Sequence, residues 1–338
     1  MPVRHEQFYF GLRVTSLTRR RPPANGFEPG YLALHRSGEL AARAREGARH
    51  LEDCDLCARY CHANRKKTLD GIACATGELP TVASFEARRG DEDCLCGWRG
   101  SGTICFAGCA MRGVFCQNWD ARCEAGGNKS TAADLAELML DLQAAGCHNI
   151  NLACAGHTVA QVLAALPLAA EAGLRLPLVW NSNGYDSPEA LALLDGVVDI
   201  YLPEMRYGVA EMAGRYSQLP DYVAVNRAAV AEMHRQVGDL RVGADGIARR
   251  GLLVRHLVLP GGIAGTGETT RFLAESISPN TWIDITDQYR PSDRAREYPE
   301  LDRPITAAEY AEALAQARAA GLTRIDRRCS AAWLVPWP

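Results

Sequence analysis

Two groups of cysteines hold the residue types in this chain best suited to chemistry. The first lies in Gly102-Thr103-Ile104-Cys105-Phe106-Ala107-Gly108-Cys109-Ala110-Met111-Arg112-Gly113-Val114-Phe115-Cys116-Gln117-Asn118, where a short apolar run opens into a loop carrying Cys109 and Cys116. The second is Cys54-x2-Cys57-x3-Cys61, with Cys74 beyond it. Soft thiolates are preferred ligands of zinc and iron–sulfur clusters, and closely spaced thiols enclose a metal at little cost in loop closure. Four thiols in about twenty residues suit a tetrahedral zinc or a small cluster, so Cys54, Cys57, Cys61 and Cys74 form a candidate second metal site. The bland alternative is that these are small buried hydrophobes, as free cysteines often are. Clustering at two places favours metal. Cys94 and Cys96 flank a single residue and would point opposite ways in a strand, so that pair is read as structural.

Composition narrows the setting. The chain has 338 residues, 47% of them hydrophobic, and a formal charge of −3, which suits one large α/β domain with a smaller appendage. Such a balance argues against a nucleic acid or membrane surface recognised by bulk charge, and the run Arg19-Arg20-Arg21 is read as solvated. No apolar run approaches the roughly 18 residues of a membrane span, and the N-terminus lacks a signal-peptide core. A cytoplasmic location is expected. Thirteen cysteines, an odd number with several close pairs, then read as metal ligands rather than disulfides.

The elements that must position these thiols follow from periodicity. Residues 1–30 read as an irregular arm, and Leu32, Leu34, Leu40 and Ala44 mark one or two amphipathic helices. Ile104-Cys105-Phe106 is a short strand. Thr131-x2-Asp134 caps a helix with Leu135, Leu138, Met139 and Leu142 on one face, ended by Gly146. Strands follow at 148–152, 178–180, 197–202, 252–259 and 282–285, with helices at 159–172 (kinked by Pro167), 187–194, 223–237 and 270–277 between them. Thr306-x2-Glu309 caps a last helix with Tyr310 and Leu314 inward. Six or seven βα units imply parallel strands in a closed or partly open barrel, whose chemistry sits at the strands' C-terminal ends. Residues 1–100 would be the arm and cysteine-rich segment, 101–330 the barrel and 331–338 a tail.

Those strand ends supply the remaining candidates: Cys154-Ala155-Gly156-His157, Asn181-Ser182-Asn183-Gly184-Tyr185, Glu204-Met205-Arg206-Tyr207, and Arg255-His256 before Pro260-Gly261-Gly262. A carboxylate and a guanidinium at one rim can hold the zwitterion of a methionine-like ligand, and asparagines can read a ribose or an amide. Asn181, Glu204, Arg206, Arg255 and His256 are therefore candidate cofactor-binding residues. Each taken singly is as well explained as a loop or capping residue.

Gly-Ser-Gly-Thr-Ile at 100–104, Gly108-Cys109, Arg112 and Val114-Phe115-Cys116-Gln117-Asn118-Trp119 resemble the signature of radical S-adenosylmethionine proteins related to pyruvate formate-lyase activating enzymes. The likeness extends from about Leu51 to Asp287-Gln288-Tyr289-Arg290-Pro291. It implies a partial (βα)6 barrel, a 4Fe-4S cluster on the loop after the first strand, S-adenosylmethionine as cofactor, a flavodoxin or ferredoxin as electron donor, and a protein substrate such as a glycyl-radical enzyme. The N-terminal thiols then hold zinc or a second iron–sulfur cluster.

The family loop reads Cys-x3-Cys-x2-Cys. Cys109 matches its first ligand and Cys116 its third, while Gly113 stands at the middle position. The second rim, Thr-Pro-Thr-His in the family, here begins with Cys154, and this thiol is the expected replacement ligand. Cys105 and Cys123 are the alternative donors. Cys105 lies four residues back along an extended strand, on the order of 13 Å from Cys109 unless the chain folds back, which makes it a poor one. If no replacement serves, the chain is a non-catalytic relative that lost its cluster and acts by binding a ligand or partner. A third possibility is a structural protein metallated only at Cys54–Cys74.

Overall fold

The computed structural model describes residues 26–116 and 127–326. Most of the expected arm with Arg19-Arg20-Arg21, the segment Gln117-Asn118-Trp119, Cys123 and the tail at 331–338 lie outside the described residues.

Helices α1 (Gly30–Ser37) and α2 (Glu39–His50) realise the amphipathic pattern around Leu32 and Leu40, both buried, and Gly38 separates them at φ 80°. Between His50 and Thr81 the chain forms only turns. It then enters β1 (Thr81–Arg88), α3 (Asp93–Cys96), β2 (Ser101–Phe106) and β3 (Asn128–Lys129). Three helix–strand steps follow, α4 (Ala132–Ala144) and β4 (Ile150–Ala153), α5 (Val159–Glu171) and β5 (Leu178–Ser182), α6 (Pro188–Leu194) and β6 (Ile200–Pro203), and then two helices, α7 (Ala210–Ser217) and α8 (Tyr222–Val237). The last elements are β7 (Arg241–Val242), β8 (Ala248–Leu257), α9 (Thr266–Phe272), β9 (Trp282–Thr286) and α10 (Ala307–Ala319).

The strands form one mixed, mostly parallel sheet in the order β3-β1-β2-β4-β5-β6-β8-β7, with β9 paired to β8. β2, β4, β5, β6, β8 and β9 run parallel, while β1, β3 and β7 are antiparallel additions. Among the described residues the sheet does not close. Strand β1 belongs to the segment that the sequence set apart from the barrel, yet it pairs with β2 from Val82↔Phe106 to Arg88↔Ser101.

Both faces of the parallel strands are covered, which explains their continuous apolar runs. Leu178, Trp180, Tyr201, Leu252 and Val254 join the large core under the helices, whereas the alternate residues Val179, Ile200, Leu202 and Leu253 meet Cys94 and Leu95. The period of two thus divides one sheet between two cores.

Most expected elements appear with shifted ends. Val197 and Val198 donate back to Leu194 O, closing the turn after α6, so the strand expected from 197 begins at Ile200. The strand expected from His148 begins at Ile150, because Asn149 spends its side chain on Ser101 Oγ and Leu95 O. Cys94 and Cys96 lie in the short helix α3 rather than a strand, and both are buried. Helix α5 continues through Pro167. The helix expected at 270–277 begins earlier, at Thr266, and its final turn, Leu273–Ile277, is π-helical. Both expected capping boxes are present, Thr131 with Asp134 and Thr306 with Glu309. Among the described residues no helix is long and apolar enough to cross a membrane.

Candidate metal and ligand site

At the C-terminal ends of the parallel strands, the loop after β2 turns back across the sheet. Gly108 makes the turn at φ +87°; a Cβ there would overlap Cys74 O and lie 2.8 Å from Thr76 Oγ1. Glycine is thus required both by its backbone conformation and by the close approach of the cysteine-rich segment. Three further contacts fix the loop. His157 Nε2 donates to Ala107 O at 2.9 Å, Arg59 Nε to Ala110 O at 2.9 Å, and Val114 N to Tyr216 O at 2.9 Å. Burial, aided by Arg65, lowers His157 to about 4, so the ring is neutral and its proton serves that bond. Phe115 packs edge-on between Tyr207 and Tyr289, each with ring centroids 6.0 Å away.

The folded-back loop encloses a cavity of ≈ 50 Å³ lined by the thiols of Cys105, Cys109, Cys116 and Cys154 together with Asn181, Glu204 and Arg206. Asn183 Nδ2 reaches Cys109 Sγ at 3.7 Å. Arg206 is paired with Glu204. Burial raises the Cys109 thiol, with Arg206 opposing the rise. The neighbouring Cys154 thiol lowers Cys105 to about 7, and Cys105 in turn raises Cys154, whose burial adds to the rise. Cys105, expected to be a poor donor unless the chain folds back, lines the same cavity as Cys109.

Position 113 accepts a Cβ only if Ser217 gives by a few tenths of an ångström. A Cβ there would lie 3.3 Å from Ser217 Oγ and 3.7 Å from Arg206 Nη1, and the Gly113 backbone is not left-handed. The Arg206 guanidinium therefore borders the space that a side chain at 113 would enter.

Of the five expected cofactor-binding residues, Asn181, Glu204 and Arg206 are brought to the cavity. Arg255 is held beneath it by Glu92, at 2.6 Å, with Asp284 at 3.9 Å. His256 faces the other side of β8 and is fully buried; Nδ1 lies 2.7 Å from Met205 O and Nε2 2.9 Å from Thr266 Oγ1. Both ring nitrogens are occupied, and the structure does not bring His256 to the cavity.

Two residues that the sequence reading passed over tie the rim together. The Tyr222 hydroxyl lies 2.9 Å from Asn183 O and 3.0 Å from Glu204 O and accepts from Arg206 N at 3.2 Å. Asn226 Nδ2 donates to Gly184 O and Glu204 O, both at 3.0 Å. Their signal in the sequence was a tyrosine and an asparagine on the same stripe of α8 as Val230, Met233 and Val237.

The second cysteine group packs against this loop. Cys54, Cys57 and Cys74 are buried and Cys61 is partly exposed. Burial pushes the Cys57 thiol up, as do the neighbouring thiols of Cys74, Cys54 and Cys61. Tyr60 and His62, on either side of Cys61, hold left-handed backbone at φ 44° and 49°. Arg65 links the two groups, with Nη1 3.7 Å from Cys54 Sγ and 3.0 Å from His157 O and with Nε 2.8 Å from Thr76 O. Among the described residues, no three or more of His, Cys, Asp and Glu converge as ligands of a single ion would.

No model of a known protein family matches the chain. It is 29% identical over 275 residues, 78% of its length, to MJ0674 of Methanocaldococcus jannaschii, a protein described as uncharacterized, 73% of which is aligned.

Proposed function

We propose that this chain is a radical S-adenosylmethionine protein of the pyruvate formate-lyase activating type, with Cys154 supplying the cluster ligand that Gly113 lacks. The observation that carries the reading is the single cavity onto which Cys109, Cys116 and Cys154 open, beside Asn181, Glu204 and Arg206. Soft thiolates are the right donors for iron and sulfide, and a four-iron cube spreads its ligands over separate corners, so they need not converge as around one ion. Three protein thiolates leave one corner for a small molecule. The parallel strands β2, β4, β5, β6, β8 and β9 follow chain order without reversal, which suits a partial (βα)6 barrel.

The chemistry that such a cluster supplies when bound is one-electron cleavage of S-adenosylmethionine to methionine and a 5′-deoxyadenosyl radical. The chain's own residues do the binding and positioning. Arg206 offers a guanidinium to a carboxylate, Glu204 its carboxylate to an ammonium group, and Asn181 an amide to a ribose or base edge. Tyr222 and Asn226 hold the two rims at a fixed separation. The corresponding partners are a flavodoxin or ferredoxin and a protein substrate such as a glycyl-radical enzyme, in the cytoplasm. Cys54, Cys57, Cys61 and Cys74 are the candidate ligands of zinc or a second cluster. Anaerobic reconstitution followed by electron paramagnetic resonance tests the reading: the reduced signal must change when S-adenosylmethionine is added, and a signal indifferent to it would refute the assignment.

One observation favours a second reading, a relative that has lost the cluster and binds a ligand or partner. Arg206 borders the space beside Gly113 and already pairs with Glu204, so charge within the site is partly balanced without metal. Protein that stays free of iron under the same reconstitution would establish it.

A further inference from the structure

We propose that Cys105 and Cys154 form a redox-active pair that hydrogen peroxide closes into a disulfide. Their placement follows from strand register. Cys105 on β2 pairs with Ala153 on the parallel strand β4, and Cys154 is the next residue. Strands about 4.8 Å apart with a rise of about 3.3 Å per residue put the two Cα atoms roughly 5.8 Å apart, inside the span a disulfide bridges. A regular strand would send the Cys154 side chain to the opposite face. Instead Cys154 adopts φ 60° and ψ 31°, a left-handed conformation unusual for a non-glycine residue, and its thiol returns to the cavity beside Cys105.

Both residues line the same cavity. The cavity is partly open and has room for a molecule the size of hydrogen peroxide. One thiolate attacks the peroxide O–O bond, taking one oxygen as a sulfenic acid and releasing hydroxide, which is protonated to water. The partner thiol then attacks that sulfur, and the sulfenic oxygen leaves as a second water. Two thiols and one peroxide give one disulfide and two waters, so the two electrons and all atoms balance. Cys154 cannot be in a disulfide and bind metal at once; that consequence, though not the pair itself, rests on the ligand assignment proposed above.

The test uses metal-free, full-length protein treated with one equivalent of hydrogen peroxide, blocked with N-ethylmaleimide in denaturant and analysed by peptide mass spectrometry. The expected product is a Cys105–Cys154 linkage, retained in Cys109→Ser and abolished in Cys105→Ser. Recovery of both residues as free, blocked thiols, or preferential linkage of Cys109 to Cys116, would overturn the proposal. Protein first loaded anaerobically with iron and sulfide should form the linkage several-fold more slowly. If it forms as fast with iron retained, the thiol pair stands and Cys154 is removed from the ligand set.

Discussion

Two glycines in one loop should respond oppositely to the same added carbon. At Gly108 a side chain meets left-handed backbone, costing about 1–2 kcal/mol, and overlaps Cys74 O, with overpacking costing about 1–3 kcal/mol. Gly108→Ala should therefore lose about 2–5 kcal/mol. At Gly113 the backbone is ordinary, and a Cβ meets only Ser217 Oγ at 3.3 Å and Arg206 Nη1 at 3.7 Å. Reduced freedom of the unfolded chain offsets the tight contact by about 0.4–1 kcal/mol, so Gly113→Cys should stay within about 1 kcal/mol of the parent. The assay is equilibrium urea unfolding of metal-free protein followed by tryptophan fluorescence, to which the fully buried Trp180 contributes. A Gly108→Ala protein as stable as the parent would refute the close docking of the cysteine-rich segment. A Gly113→Cys protein losing 3 kcal/mol or more would contradict the reading that Ser217 gives way to a side chain at this position.

Other perturbations test the positioning elements. Asp199 accepts from Gly30 N at 2.9 Å and Leu178 N at 3.0 Å, and burial pushes its carboxyl up to about 7. The folded state then binds the proton more tightly than the unfolded chain, so stability falls as pH rises from about 4 to 7, by roughly 4 kcal/mol in all; Asp199→Asn should flatten that part of the urea-stability profile, and an unchanged slope would contradict the assignment. Tyr222→Phe leaves Arg206 N without its acceptor and should cost about 1–3 kcal/mol, measured by the same unfolding. Thr306→Ala removes the hydroxyl that accepts from Glu309 N at 3.2 Å and should cost about 1 kcal/mol, read as a drop in the thermal midpoint.

The parallel strands and their helices were legible because each follows a local pattern: apolar runs of strand length, capping boxes at Thr131 and Thr306, and Pro188 opening a helix after Ser187. Strand β1 was not, since its one buried residue, Val82, gives no alternation to read. Asn181, Glu204 and Arg206 reach the cavity because each stands at the end of a parallel strand. Arg255 and His256 were misjudged for a related reason. The carboxyl end of β8 extends over several residues, and neighbouring positions face opposite sides, so adjacency in sequence meant separation in space. The approach of Cys154 to Cys105 was hidden because it depends on the left-handed backbone at Cys154, which no local pattern announces.

The most direct test of the proposed ligand set is iron and acid-labile sulfide per chain after anaerobic reconstitution, compared between the parent and Cys154→Ser, both carrying Cys54→Ser and Cys57→Ser to silence the second group. A parent with about four irons, falling several-fold in the Cys154→Ser protein, is the predicted result. Equal iron in both proteins would show that the cluster is held without Cys154.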